Sequence, residues 1–370
     1  MSLGNLAIHV GTTITLLIPA VAAGQTAPAT AAPTPPSFLS QTEISGFVDI
    51  YFSRNFNKPA TGLAQLRNFD VQHDSFSLNL AELAFEKKPT ATSRGGFRID
   101  LDYGHQAQMV NAYEPGGATL QNVGQAYASY LAPKGLQLDF GKFYSPIGFE
   151  GIKTRDNWNY SRSLVYALAE PYYHAGLRAN YTVNDRVAVA GFLLNGWNNV
   201  LDNNGAKTIG GQITLKPSSA VTLVETYLGG PEQTGNTGDW RHISDTILTW
   251  SPQSTVTLAA NYDYGRDTVD GAAVTWQGIA GYVRYQPVAW FALTPRAEYY
   301  NDADAFSTGV SQKLTGLTVT SEFRQENGLS LRLEYRRDMS DVAFFQQKSA
   351  GLVKHQDTLS VGVIYAFSSK

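Results

Sequence analysis

The 370-residue sequence contains no cysteine. That absence removes disulfides, thiolate nucleophiles and cysteine-based metal sites together. An exported chain of this kind takes its stability from backbone pairing, not from covalent staples. Charge is scarce as well. Only 16% of residues are Asp, Glu, Lys or Arg, where a soluble globular protein usually carries about 25%. The formal net charge is -3, so no basic face favours a nucleic-acid partner. No block recurs at a solenoid-like period, and no metal or cofactor is implied.

The N-terminus reads as a signal peptide, residues 1–23. Leu6 to Ala23 is mostly apolar and ends in Ala20-Val21-Ala22-Ala23, a small-residue site suited to cleavage near Ala22 or Ala23. Its leading region has no Lys or Arg, only the amino terminus and His9. A membrane anchor fits less well, because His9 and Pro19 interrupt a short stretch that has no basic flank. Residues 24–42 are rich in Ala, Thr and Pro and form a flexible lead-in. No later linker divides the chain, so residues 43–370 form one domain.

Glycine (34), tyrosine (20) and phenylalanine (18) are abundant in what remains. Polar and apolar residues alternate repeatedly. Phe97, Ile99, Leu101 and Tyr103 share one face, with Arg98, Asp100 and Asp102 on the other. Leu329, Leu331, Leu333 and Tyr335 oppose Ser330, Arg332, Glu334 and Arg336. Leu359, Val361, Val363, Tyr365 and Phe367 make a third apolar face. A period of two belongs to strands. About sixteen such runs, each roughly ten residues long, match the span of a tilted transmembrane strand. The expected fold is all-β: an antiparallel up-and-down transmembrane barrel. The runs near Phe76, Val123 and Ile243 do not show which way they face.

A basic residue at the bilayer midplane of a barrel costs about 2–4 kcal/mol. A one-residue slip would turn Arg332, Glu334 and Arg336 outward together, so the charged faces look into the lumen. Short turns such as Ala132–Gly135, Lys216–Ser219 and Gln325–Gly328 alternate with longer connections, the pattern of short periplasmic turns and long outer loops. Tyr103, Tyr130, Tyr181, Trp240, Trp250, Tyr285, Trp290, Tyr299 and Tyr300 fall at strand ends, where aromatic girdles form.

Between Gly141 and Tyr181 the order of motifs becomes specific. Gly141-Lys142-Phe143 leads to Pro146, Gly148 and Glu150; Asn159, Ser161 and Arg162 follow, then Pro171, His174 and Gly176. This order resembles the OmpL-like β-barrel porins of Gram-negative bacteria. The resemblance implies an outer-membrane location with lipid around the barrel, and a water-filled pore for small polar solutes or ions. It also implies recognition of a terminal aromatic, here Phe367, by the barrel-insertion machinery, although Ser368-Ser369-Lys370 follow it. Analogy with porins suggests a homotrimer.

Two groups are candidates for pore lining. The connection 144–171 carries Glu150, Lys153, Arg155, Asp156, Arg162 and Glu170. By resemblance to sixteen-stranded porins it folds inward and narrows the pore; read by itself it is also consistent with a solvated outer loop. Arg284, Arg296, Arg324, Arg332 and Arg336, with Glu298, Glu322 and Glu334 among them, fall on late strands at inward positions. They read either as an ion-tuning wall or as internal salt bridges. A non-conducting structural or adhesion barrel, an outer-membrane hydrolase and a soluble secreted β-protein are the rival classes. No histidine sits in a nucleophile-elbow or zinc spacing; His174 with Ser161 or Ser163 is the one catalytic pairing to consider.

Overall fold

The computed structural model describes residues 37–370 except 113, 115–119 and 350. The expected signal peptide and most of the lead-in lie outside the described residues. The lead-in ends in one helical turn, α1 (Phe38–Gln41), whose Phe38 stacks on Phe97 with ring centroids 5.8 Å apart.

Fifteen strands follow one another around the wall: β1 (Glu43–Asn55), β2 (Ser75–Lys87), β3 (Gly95–Tyr103), β4 (Val123–Leu131), β5 (Gln137–Tyr144), β6 (Tyr173–Asn184), β7 (Val187–Leu194), β8 (Thr208–Ser218), β9 (Val221–Pro231), β10 (Trp240–Gln253), β11 (Val256–Val269), β12 (Ala272–Val288), β13 (Phe291–Asp302), β14 (Gln312–Arg324) and β15 (Leu329–Ser340). A short hairpin of β16 (Phe345–Gln347) and β17 (Gly351–Val353) stands apart, and β18 (His355–Ser368) pairs with both β15 and β1. The wall is thus a closed sixteen-stranded antiparallel barrel. The closing seam runs from Ser45 opposite Ser368 to Asn55 opposite Thr358. Closure leaves no unpaired edge, as a sheet in lipid requires.

Alternation sets the two faces. Leu333 is 41% exposed and Leu359 48%, while Arg332 and Glu334 between the outward positions are 1% and 2% exposed. Glu225 is an exception: it points outward at mid-strand and accepts a 2.6 Å hydrogen bond from the Thr246 hydroxyl. Most of the expected girdle aromatics are exposed on the outer face. Tyr300 is not. It is fully buried and turned inward, donating to the Leu168 carbonyl at 3.0 Å.

One side of the barrel has short turns throughout. The other has long connections with one departure: β11 and β12 are joined by Asp270-Gly271 alone, with φ of 50° and 78°. Two consecutive positive φ values are what a two-residue primed turn needs, and an Asp-Gly pair supplies them. The β16–β17 hairpin inside the last long connection was likewise not legible as strand.

The inner face is not uniformly polar. Phe143, Phe192, Leu194, Leu228 and Ile243 form one buried apolar cluster with Ile147; Trp276, Ala280, Tyr282, Tyr300 and Leu314 form another with Leu164 and Val165. Ile147, Leu164 and Val165 belong to the connection between β5 and β6. These inward apolar residues explain why the run near Ile243 had no readable facing.

A candidate constriction inside the barrel

Residues 145–172 enter the lumen instead of extending from the rim. The strands on either side of it approach their neighbours closely through glycines. Gly141 and Gly176 face each other across β5 and β6 with φ of 141° and 156°. A Cβ on Gly141 would lie 2.2 Å from the Ala126 carbonyl oxygen, and one on Gly176 2.2 Å from that of Leu193. Neither position accepts a side chain without a backbone shift.

Inside, the connection makes a 3₁₀ turn at Thr154–Asp156 and a short helix, α3 (Leu164–Ala169), capped by Ser163 Oγ accepting from the Tyr166 amide at 3.1 Å. An irregular backbone away from bulk water must find partners for every N–H and C=O. The strand side chains provide them. Arg332 donates to the carbonyls of Thr154 at 2.8 Å, Asn157 at 2.7 Å and Asn159 at 3.1 Å. Glu334 accepts from the amides of Tyr160 at 2.7 Å and Ser161 at 3.0 Å. Arg296 donates to the Ser161 carbonyl at 2.7 Å and pairs with Glu150 at 3.0 Å and Glu298 at 3.1 Å. Arg336 donates to the Arg162 carbonyl and pairs with Asp338 at 2.7 Å. Glu298 accepts from the Leu164 amide, and Asn159 donates to Thr320 Oγ1 at 2.7 Å.

The opposite wall is engaged as well. Lys153 bridges Glu82 at 2.6 Å and Asp100 at 2.9 Å. Asp49 accepts from Thr154 at 2.7 Å and from the Tyr160 hydroxyl at 2.9 Å. Gln212 on β8 donates to the Pro146 carbonyl at 3.1 Å. The connection thus reaches from β1–β3 across to β8–β11 and β13–β15. Arg162 braces it internally, donating to the carbonyls of Gly151 and Tyr160 at 2.8 Å each.

These distances separate the expected lining residues into two sets. Arg296, Arg332, Arg336, Glu298, Glu334, Glu150, Lys153, Arg162 and Glu170 are buried. They do not face open water: the five strand residues lie under the inward connection and hold it, and Glu150, Lys153, Arg162 and Glu170 are buried members of that connection. Arg324, 42% exposed at its side chain, and Asp156, 65% exposed, do meet solvent. With Arg155 they border a cavity at the short-turn end together with Glu322. Glu322 carries Arg284, Arg324 and Arg332, each at 2.8 Å.

Several members of the site were not singled out from the sequence. Asp49 and Asp100 were in reach of the alternation, which turns each inward; Glu82 lies on the run near Phe76, whose facing the sequence does not show. Arg67, which pairs with Asp338 at 3.2 Å, comes from the first outer loop and carries no sequence signal. Gln106, from the short helix α2 (His105–Val110), also enters the lumen and donates to the Ile152 carbonyl. The pairing of His174 with Ser161 or Ser163 does not form. His174 Nε2 lies 3.2 Å from Ser145 Oγ, and its Nδ1 is engaged by the Gly196 carbonyl at 2.9 Å, where a triad would place an acid. Ser163 caps α3 and Ser161 contacts Arg296 and Arg336.

Gly362 offers a direct check on the packing. A Cβ there would sit 2.3 Å from the Tyr160 ring. Gly362→Val is therefore expected to displace Tyr160 from Asp49 and expose the connection to added protease in detergent. Unchanged proteolysis would contradict the packing described.

A closed barrel of this strand number, with a connection turned into its lumen, defines an outer-membrane β-barrel of the porin type. The chain belongs to the family described as "Putative beta-barrel porin-2, OmpL-like", whose model matches residues 41–367. Among solved structures it is similar to an anion-selective porin from Comamonas acidovorans, with 12% identity, a TM-score of 0.62, and 88% of this chain and 99% of that one covered. The outer membrane channel DcaP of Acinetobacter baumannii has 12% identity and a TM-score of 0.59, with 88% and 97% covered. Salmonella typhi OmpF, solved with daunomycin, has 12% identity and a TM-score of 0.61, with 88% and 97% covered. At these identities the likeness is one of fold. No curated protein matches the chain.

Proposed function

We propose that the protein is an outer-membrane porin through which small hydrophilic solutes or ions diffuse passively, and that residues 145–172 set its narrowest section. The observation that carries this reading is the closed wall of sixteen strands, wide enough to hold water, narrowed by one inward connection. Below the connection, on β6, β8 and β9, inward Arg178, Asn180, Gln212, Thr214 and Thr222 are only half-buried. Arg178 is paired with Asp139 at 2.9 Å and the other four are neutral, so these groups present no unpaired charge and suit uncharged or weakly charged solutes. The extent of the inward contacts favours a second reading, a barrel that is silent at rest.

Refolded protein in planar bilayers separates the two. Discrete current steps are expected from a porin; continued silence would support the scaffold. The Arg332→Ala/Arg336→Ala double variant refines the picture. Because these guanidiniums hold loop carbonyls, the expected result is a larger conductance with little change in reversal potential across a salt gradient. A large shift in reversal potential at constant conductance would instead make them a selectivity wall.

A further inference from the structure

One part of the inward connection is held without any cation. Glu170, at its end, is buried, and no donor reaches either of its carboxylate oxygens. It is in hydrogen-bonding contact with the Asp263 carboxyl, and Asp263 with that of Asp245. Asn261 Nδ2 donates to Asp245 at 2.7 Å and to Asp263 at 3.0 Å, which leaves Asp263 Oδ2 without a donor. The start of the connection docks on the same residues. The Gly148 amide donates to Asp245 at 3.2 Å and the Phe149 amide to Asn261 at 2.8 Å. Gly148, with φ of 95°, lies so close that a Cβ would be 1.9 Å from Glu170 Oε2.

The groups bearing on Glu170 are Asp245 from β10, Asp263 from β11, Glu150 from the connection, Tyr166 from α3 and Tyr300 from β13. None is a cation, and Glu150 is already paired with Arg296. Carboxyl oxygens in contact with no other donor between them need a proton. Among the described residues no His, Asp or Glu group is arranged to hold a metal ion. Burial and the Asp245 and Glu150 carboxylates push Glu170 well above the usual carboxylate range.

We propose that Glu170, Asp245 and Asp263 share protons as a latch that fastens Gly148–Phe149 to β10 and β11, and that loss of those protons releases this edge of the connection. The sign follows from linkage. The docked state binds the protons more tightly than the released state, so raising the pH favours release and lowering it favours docking. Arg296, Arg332 and Arg336 keep the far side fastened, so the motion is confined to the β8–β11 side.

The test uses a nitroxide on Pro146→Cys, on the β8 side of the connection two residues before Gly148. The chain has no other cysteine, and Pro146 is only half-buried. As the pH is raised from about 5 to about 9, label mobility should increase in a single transition. In a Glu170→Gln/Asp263→Asn background the label should stay immobile throughout. Infrared spectra of the protein without these two substitutions should lose a protonated-carboxyl band over the same range, a reading that does not depend on the variant folding. An immobile label at every pH, a transition that persists in the double variant, or a transition driven by chelator instead of pH would each overturn the latch. These readouts do not require conduction. A parallel rise in single-channel conductance is expected only if the proposed porin function also holds, so the two failures are distinguishable.

Discussion

Replacing residues 150–166 with a short Gly-Ser linker is expected to raise single-channel conductance several-fold while the barrel still inserts. The argument is geometric. The deleted segment supplies Lys153, Thr154, Asn159, Tyr160 and Ser161, the groups that touch β1–β3 on one side and β13–β15 on the other. Without it the inner wall keeps the strand pairing that defines the barrel, and sixteen strands enclose an aqueous lumen. Arg296, Arg332 and Arg336 lose loop partners but gain water, so the desolvation penalty of isolated buried charges does not arise. They also keep Glu298, Glu322 and Asp338 on adjacent positions. Conductance equal to that of the intact protein would mean that the segment does not limit the path.

The second large effect concerns the outer face. Leu333→Arg should lower folding stability in lipid vesicles by about 2–4 kcal/mol, the cost of a basic side chain near the bilayer midplane. At about 1.4 kcal/mol per decade, that is roughly a thirty- to thousand-fold drop in the folded-to-unfolded ratio. Leu333 lies opposite Ser321 and Val361 in the middle of β15, on the exposed face. Ser330→Arg, three residues earlier and inward beside the short-turn cavity, should change stability little. Equilibrium urea unfolding of both variants in the same vesicles makes the comparison. Equal stabilities would contradict the assignment of faces.

The barrel was readable because its wall obeys a local rule. Side chains two apart share a face, so Phe97 to Tyr103 and Leu329 to Arg336 declare their orientation without tertiary information. The same rule assigns Arg296, Arg332 and Arg336 inward but does not say what they meet there. That depends on where residues 145–172 go, and a loop's path is set by distant partners. Gln212 meets Pro146, and Glu334 meets Tyr160, across separations no local pattern encodes. Inward Ile243 hid the facing of its strand for the same reason: it belongs to a buried apolar cluster that includes Ile147 of the connection, so a lumen-facing position looks like a lipid-facing one. Tyr300 was misplaced by this ambiguity. The motif between Gly141 and Gly176 was visible as a resemblance. Its physical content is the close backbone approach at Gly141 and Gly176, the contact of Gly148 with Glu170, and the hydrogen bonds of Glu150, Asn159, Ser161 and Arg162.

The central claim is that residues 145–172 cross the interior. Asn159 and Thr320 touch through a 2.7 Å side-chain hydrogen bond although 161 positions separate them in the sequence. In an otherwise cysteine-free chain, Asn159→Cys with Thr320→Cys should form an intramolecular disulfide on mild oxidation, seen as a mobility shift of the heat-unfolded protein. A pair that stays reduced in correctly folded protein would place the connection outside the barrel and contradict the account.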